Sequence, residues 1–312
     1  MKKNKKIKPI KKSMSFAIFP MFAYYLMNLA ASFLYVFVVA MPKLTEAVGE
    51  NANITPEEMM ALYDSIVVDD TMLLLVLLNA MVITYAVWSF SKRESVFFDK
   101  RYDNKLNAKD IIHLVILALG LYFGVNIVIT IIVPLFGGLQ SSVTELNDMV
   151  YTMVGTDLVF SVLVIGILAP VAEELLIRGL VFNRLRFSGT IPFAVFTSAL
   201  VFSMMHLPSI IQSIYTFGVG AVFAWAYYKY ENILVPVILH VIYNLASFVF
   251  MIEPLVNFFS TVGGLFVFYA VGVGAILIGI KYINKKPRPE IIQKYIEVEI
   301  PEGMSEDDFD VE

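Results

Sequence analysis

Long runs of apolar residues without charge recur along almost the whole chain, and they constrain its fold more than any other feature. The hydrocarbon core of a bilayer is about 30 Å thick, and a helix needs about 20 apolar residues to cross it. Of the 312 residues, 58% are hydrophobic and 16% are charged, a balance that soluble globular domains do not show. We therefore predict an all-α, polytopic membrane helical bundle.

The uncharged segments predict about eight transmembrane helices. No Asp, Glu, Lys or Arg occurs between Arg186 and Lys229, so only His206-Leu207-Pro208-Ser209 separates the fifth helix from the sixth. Because proline does not continue a helix easily, residues 191–229 form either two full spans or one span plus a re-entrant segment. The predicted spans are residues 15–41, 71–91, 111–136, 157–182, 191–206, 209–229, 232–251 and 260–280.

The basic residues predict how the helices are oriented. With eight spans, every Lys and Arg except Lys43 and Arg178 falls in the terminal segments or in loops on one side. Cytoplasmic loops are the ones enriched in Lys and Arg, so we expect a plasma-membrane protein with both termini cytoplasmic. The expected parts are a basic N-terminus (1–14), three helices (15–136), a helical core (155–251), a last helix (260–280) and an acidic cytoplasmic tail (281–312).

The chemistry available to the chain is limited to oxygen and imidazole groups. The sequence contains no cysteine, which excludes disulfides, thiolate zinc sites and a cysteine nucleophile. Charged groups inside a membrane helix cost several kcal/mol unless they are paired or hydrated. The fourth predicted helix nevertheless carries Glu173, Glu174 and Arg178, which indicates either a structural ion pair near the boundary or a functional site.

Helical geometry separates the two carboxylates. Glu174 and Arg178 are i,i+4 neighbours and can pair on one face, whereas Glu173 lies about 100° away around the helix. An unpaired carboxylate in a low-dielectric site has a raised proton affinity, which suits a general base or acid near neutral pH. Glu173 is therefore the better candidate for chemistry.

Two of the three histidines fall in predicted spans after this motif. His206 ends Phe202-x-x-x-His206 and His240 begins His240-x-x-x-Asn244, so each pair shares a helix face. At 1.5 Å per residue, Glu173 lies about 15 Å and His240 about 12 Å from the cytoplasmic end of their helices, but His206 lies about 21 Å from that side. These depths conflict unless the fifth helix is tilted, starts late or is re-entrant.

Three short motifs occur in order on separate predicted membrane helices: Glu173-Glu174-x-x-x-Arg178, Phe202-x-x-x-His206 and His240-x-x-x-Asn244. In this order they resemble the CPBP group, the CAAX-protease and bacteriocin-processing (Abi) family, over roughly residues 165–250. The resemblance implies an intramembrane endopeptidase. Its catalytic residues would be Glu173, His206, His240 and Asn244, with Glu174, Arg178 and Phe202 in support.

The family also implies what such a protein acts on. Eukaryotic members remove the last three residues of prenylated proteins. Bacterial members, which this chain resembles more, are associated with peptide maturation and bacteriocin self-immunity. We therefore expect the bilayer and a membrane-associated peptide or protein substrate as partners, and no nucleic acid.

Two mechanisms remain open from the sequence. In a metal-free version, Glu173 and His206 activate a water while His240 and Asn244 donate hydrogen bonds to the developing oxyanion. Alternatively, Glu173, His206 and His240 bind a catalytic zinc. The sequence lacks the His-Glu-x-x-His helix of the commonest zinc proteases, which favours the version without a cofactor.

Two other function classes compete with a protease. Intramembrane Glu, Arg and His also build ion pathways in transporters, but such proteins spread ionisable residues over several helices and often contain repeats. A non-catalytic membrane scaffold that binds partner proteins could use the same fold, although this chain retains every motif residue. Cleavage that depends on Glu173 would distinguish a protease from both.

Overall fold

The fold is known from a computed structural model, which describes residues 5–9, 14–50, 54–92, 105–207, 209–250, 252–286 and 295–299. We number the helices in chain order and join segments that continue directly into one another. They are α1 (14–50), α2 (Pro56–Lys92), α3 (Ala108–Leu135), α4 (Gln140–Thr156), α5 (158–188), α6 (Ile191–Met204), α7 (Ile210–Tyr230), α8 (Leu234–Val249), α9 (Glu253–Phe259) and α10 (Val262–Asn284).

The all-α membrane bundle is confirmed, but with fewer full spans than eight. Six helical stretches are long and apolar enough to cross a bilayer, and α8 with α9 would make a seventh despite a 90° bend between them. Helix α6 has 14 residues, or about 21 Å, which is shorter than the hydrocarbon core. Residues 191–229 therefore form one short helix and one full-length helix, α7.

Two helical regions were not predicted. Helix α4 lies between the third and fourth predicted spans, where its Leu146 packs with Val133 and Ile211. The region between the first two predicted spans, residues 42–70, is also largely helical, because α1 runs to residue 50 and α2 begins at Pro56. Hydropathy misses such segments because they carry polar and charged residues.

The start of α2 shows how the sequence fixes a helix end. Thr55 and Glu58 form a reciprocal pair, with the Thr55 N–H donating to Glu58 Oε2 and the Glu58 N–H donating to Thr55 Oγ1. Hydrogen bonds from the backbone and the hydroxyl of Thr55 lower the pKa of the Glu58 carboxyl. This cap is therefore complete at pH values above the ordinary pKa of a carboxyl group. It is lost as the pH falls through the lowered pKa of Glu58.

Helix α5 runs through the centre of the larger core cluster. Its buried residues Leu176, Ile177 and Leu180 pack with side chains from α1, α2, α6 and α7. Two parts of α5, Val164–Leu168 and Leu175–Phe182, are π-helical, and the segment between them, Ala169–Glu174, is α-helical. Single-turn π segments often occur at functional sites.

Helices α3 and α10 approach each other closely along one seam. A Cβ atom at Gly120 would lie 2.7 Å from the backbone nitrogen of Ile276, and one at Gly279 would lie 2.6 Å from the Cβ of Leu117. Only glycine permits backbones to approach so closely. The glycines thus fix the position of the last helix against α3.

A largely buried group of charged and phenolic residues, here called the end cluster, joins α3, α7 and the end of α10. It consists of Asp110, Tyr230, Tyr282 and Lys286. Asp110 is the centre, with 2% of its surface exposed, and it pairs with Lys286 at 2.5 Å. Tyr230 and Tyr282 both donate to Asp110 Oδ1 at 3.1 Å.

Two short strands lie outside the helical bundle. Strand β1 (Lys5–Pro9) pairs antiparallel with β2 (Tyr295–Glu299), with Lys5 opposite Glu299 and Ile7 opposite Glu297. This pairing agrees with termini on the same side, while the cytoplasmic side itself stays a prediction. Of the predicted N-terminus (1–14) and the predicted tail (281–312), the structure describes residues 5–9, 14, 281–286 and 295–299. The other residues of these two segments lie outside the described residues, as does Pro208.

Candidate active site

Helix α5 places an acidic pair and an arginine in the centre of the bundle. The predicted Glu174–Arg178 pair is confirmed: Arg178 Nη1 lies 2.7 Å from Glu174 Oε1, and both side chains have 0% of their surface exposed. The neighbouring Glu173 is rotated away from this pair and keeps 24% of its side-chain surface exposed. The two carboxylates thus occupy different environments although they are adjacent in sequence.

Aromatic rings and one backbone carbonyl hold the Arg178 guanidinium. Its Nη2 donates to the carbonyl of Gly220 on α7 at 2.9 Å, and its Cζ lies 4.7 Å from the ring centre of Phe202 and 5.6 Å from that of Phe223. A buried cation needs such contacts because desolvation is costly. The arginine therefore links α5 with α6 and α7.

Gly220 is required by the same contact. A Cβ atom there would lie 2.9 Å from Cδ1 of Phe202 and 3.3 Å from Arg178 Nη2. In the sequence, Gly220 is distinguished only by the spacing Gly220-x-x-x-Ala224, which favours close helix packing. Its position against the buried arginine makes it a supporting residue of the site that sequence reasoning missed.

His240 on α8 connects the two carboxylates. Its Nδ1 lies 2.9 Å from Glu174 Oε1, which also accepts the hydrogen bond from Arg178. Because a carboxylate can only accept, Nδ1 carries the proton of this bond. The opposite nitrogen, Nε2, lies 3.8 Å from Glu173 Oε2. This distance allows an electrostatic interaction but is too long for a hydrogen bond.

His206 lies in the turn that follows α6. Its Nδ1 is 2.9 Å from the carbonyl of Phe202, so Nδ1 donates and Nε2 is left as a proton acceptor. The Phe202 ring contacts both histidines edge-on, with its centre 4.8 Å from the His206 ring and 5.5 Å from the His240 ring. The structure therefore brings His206 into the same layer as His240.

The helix ends explain why the depth estimate for His206 was in conflict with that for Glu173. The estimate placed the end of α5 near Asn183, but α5 continues to Ser188. Glu173 lies fifteen residues before Ser188, and His206 lies fifteen residues after Ile191, so both are about 22 Å from the α5–α6 turn. The two helices project farther at this end than the sequence indicates, and the conflict between the depths of Glu173 and His206 disappears.

Asn244 lies one turn after His240 and contacts α5. Its Nδ2 donates to the carbonyl of Ile165 at 2.9 Å, and Ile165 belongs to the π-helical segment Val164–Leu168. A π turn changes the partners of backbone carbonyls, and the asparagine satisfies one of them. The amide group of Asn244 has a second N–H that this contact does not use.

The first helix contributes a residue that no motif indicates. Tyr24 on α1 packs against the central core cluster. Its hydroxyl bonds to the side chain of Asn28 and lies within electrostatic reach of Glu173. With sixteen tyrosines in the chain and no pattern around Tyr24, the sequence holds no signal that distinguishes it.

The predicted zinc alternative concerns Glu173, His206 and His240. Within the described part of the chain, no group of three or more His, Asp and Glu residues is arranged to hold a metal ion. Each histidine donates its Nδ1–H to an oxygen, His240 to Glu174 and His206 to a backbone carbonyl, and such partners orient histidines that bind a metal through the other nitrogen. The zinc alternative with Glu173, His206 and His240 therefore stays a prediction.

A known protein family matches the region of the chain that carries the site. Residues 155–246 match the family model described as type II CAAX prenyl endopeptidase Rce1-like. A Bacillus subtilis (strain 168) protein named "Putative membrane peptidase YdiL" is 27% identical over 113 residues, which cover 34% of this chain and 46% of that protein. No solved structure matches the chain.

Proposed function

We propose that this chain is an intramembrane endopeptidase of the CAAX-protease (CPBP) family, a proposal supported by the match of residues 155–246 to the type II CAAX prenyl endopeptidase Rce1-like model. It would hydrolyse peptide bonds of membrane-associated proteins or peptides. The observation that carries the proposal is the position of His240, with Nδ1 bonded to buried Glu174 and Nε2 facing part-exposed Glu173. Such a pairing of titratable groups in different environments is typical of acid–base sites.

Glu173 is the residue we assign as general base. It is the accessible member of the acidic pair, and Arg178 does not neutralise it. Its carboxylate would take a proton from a water whose oxygen attacks the scissile carbonyl carbon. When the C–N bond breaks, the same proton passes to the leaving amine, so that water and peptide give a carboxylic acid and an amine.

The two histidines and Asn244 would orient the water and stabilise the negative charge that develops on the carbonyl oxygen. His206 presents Nε2 as an acceptor and would help to orient the water. An imidazolium at His240, stabilised by the Glu174 carboxylate at 2.9 Å, would donate its Nε2–H to the developing oxyanion. The free N–H of Asn244 would be a second donor.

The experiment is cleavage of a panel of membrane-associated peptides by the full-length protein in bilayers, compared between wild type and Glu173→Gln. We expect Glu173→Gln to lower the rate by about 10²–10⁴, the usual contribution of a general base. Glu145→Gln is the matched control, because Glu145 is exposed on α4 and should leave the rate unchanged. Equal rates for all three proteins would contradict the proposal.

Chelation addresses the zinc alternative in the same assay. Cleavage that survives a chelator supports the metal-free mechanism. Loss of cleavage on chelation, with recovery when zinc is added, would support the zinc mechanism instead. The pathway, whether peptide maturation or bacteriocin self-immunity, and the plasma-membrane location with cytoplasmic termini stay predictions from the resemblance and from the Lys and Arg asymmetry.

A further inference from the structure

An apolar groove runs between α3 and α10, away from every residue of the candidate active site. Its volume is about 380 Å³, and all its lining residues are apolar. A Cβ atom at Gly274 would meet nothing within 4 Å, so the surface is open at this residue, although α3 and α10 are in close contact at Gly272 and Gly279 on either side of it. The groove is lined by Ile116, Leu119, Phe123, Val271, Gly274, Ala275 and Ile278.

The groove opens outward, toward the hydrocarbon that surrounds a membrane bundle. Val271 and Ile278 in its wall are 51% and 52% exposed, and the neighbouring Leu277 is 63% exposed. No polar side chain in the wall could bind water or a hydrophilic ligand. The chemistry of the groove therefore fits a hydrocarbon chain.

Basic side chains continue the same helix faces beyond one end of the groove. Lys281 on α10 and Lys285 directly after it follow Ile278 by three and seven residues, and on α3, Lys109 precedes Ile116 by seven. These spacings keep a residue on one face of a helix, and seven residues advance about 10 Å along the axis. The lysines thus lie beyond the groove, at the level of lipid headgroups.

These three lysines are available to bind an anion. All are exposed, and in the part of the chain that the structure describes none of them forms an ion pair or another side-chain contact. The nearby carboxylate of Asp110 is already paired with Lys286. Among the described residues, no carboxylate therefore compensates the positive charge of these three lysines.

An aromatic pair lies between the apolar wall and the lysines. The rings of His113 and Tyr282 stack across α3 and α10 with their centres 3.6 Å apart. His113 precedes Ile116 by three residues, and Tyr282 follows Ile278 by four. Aromatic and polar rings of this kind favour the boundary between hydrocarbon and headgroups, which sets the level of the membrane surface.

We propose that the α3–α10 groove binds one anionic glycerophospholipid, with an acyl chain along the apolar wall and the phosphate beside Lys109, Lys281 and Lys285. Basic pockets between transmembrane helices bind anionic headgroups in this way. A second copy of the chain fits less well, because a two-fold interface here would place the lysines of both copies at the same level, and like charges repel. This site is independent of the proposed protease function.

The test is native mass spectrometry of the full-length protein, titrated with phosphatidylglycerol or with phosphatidylcholine of the same acyl chains. Since each lysine near an anionic headgroup contributes roughly a factor of five, we expect wild type to bind the first phosphatidylglycerol at least about ten-fold more tightly than phosphatidylcholine. Gly274→Leu fills the groove and should abolish this preference. Gly263→Leu is the matched control on the same helix, because a Cβ there also meets nothing within 4 Å.

A second pair of variants tests the headgroup contact. Lys281→Gln with Lys285→Gln should lower binding of phosphatidylglycerol but not of phosphatidylcholine, whereas replacing both lysines by arginine should preserve it. Glycerol phosphate, which has no acyl chain, should not compete. Any one of four results would overturn the proposal. They are equal affinity of wild type for both lipids, full lipid binding by Gly274→Leu, competition by glycerol phosphate, and a dimer that Gly274→Leu dissociates.

Discussion

The end cluster and the active-site group are both buried and both combine a carboxylate, a cation and aromatic rings, but their hydrogen bonds are completed to different degrees. Asp110 accepts from Lys286, from two tyrosines and from the backbone of Asn107, so both of its oxygens have partners. At the active site, Glu174 Oε2 and Arg178 Nε are buried and have no hydrogen-bond partner among the described residues.

The difference separates a structural role from a reactive one. A polar group buried without a partner costs about 1–3 kcal/mol, and most buried groups in proteins avoid that cost. The end cluster satisfies its groups and joins three helices. The active-site group retains unpaired atoms and an accessible second carboxylate, Glu173, which is the arrangement expected where protons must move.

The largest effect should come from Glu174→Gln. This change leaves Arg178 buried without a carboxylate, and breaking a buried pair costs about 3–5 kcal/mol of the free energy of unfolding. Unfolding by denaturant in detergent micelles measures the loss. Glu173→Gln is the control, since Glu173 is part-exposed and its loss should change stability by less than about 1 kcal/mol; equal losses would erase the distinction between the two carboxylates.

Gly220→Ala should have the next largest effect. The added methyl would overlap Phe202 and press on Arg178, and overpacking costs about 1–3 kcal/mol. Because a displacement of about 1 Å can lower a rate by about 10², we expect cleavage per folded molecule to fall by that factor. Gly218→Ala on the same helix, where a Cβ meets nothing within 4 Å, should retain the wild-type rate. Unchanged cleavage in Gly220→Ala would remove the glycine from the site.

Asp110→Asn should affect stability alone. The loss of charge weakens the bonds from Lys286, Tyr230 and Tyr282, and we expect the free energy of unfolding to fall by about 1–3 kcal/mol. The rate per folded molecule should equal that of wild type. Asp64→Asn, at an exposed position of α2, is the control with no expected effect. A variant that folds normally but cleaves slowly would give the end cluster a part in the reaction.

The smallest effect should come from Lys43→Gln, which removes an exposed ion pair. Lys43 contacts Asp70 at 2.5 Å, with side-chain exposures of 49% and 17%. Surface pairs contribute about 0–1 kcal/mol and are weakened by salt, so the difference from wild type should shrink further in high salt. If Lys43→Gln lowered the free energy of unfolding as much as Asp110→Asn does, burial would not decide how much an ion pair contributes to stability.

What could be predicted from the sequence was mostly local. The Glu174–Arg178 pair follows from helical spacing alone, and the number of apolar segments follows from the membrane thickness. The identity of the site residues came from the resemblance, not from spacing. The predicted span 191–206 agrees with α6 to within two residues, because the sequence His206-Leu207-Pro208-Ser209 marks its end although residues 187–228 contain no charge.

Contacts between distant segments could not be predicted. Arg178 meets Gly220, 42 residues away, and Glu174 meets His240, 66 residues away; such partners depend on how helices pack. The bond from Asn244 to Ile165 also depends on a π turn, which residue propensities do not encode. Amphipathic α4 was missed for a different reason, since its polar residues hide it from a search for apolar spans.

The π-helical stretch Leu175–Phe182 in α5 makes the alignment of this helix sensitive to length. A π turn holds one more residue than an α turn, and each residue of an α-helix turns about 100° around the axis. Deleting one residue here would let the chain form an ordinary α-helix without breaking its hydrogen bonds. The same deletion would rotate Glu173 and Glu174 relative to every residue after the deletion. A related protein with such a deletion could therefore have a continuous helix and all of these side chains, and still lack the site.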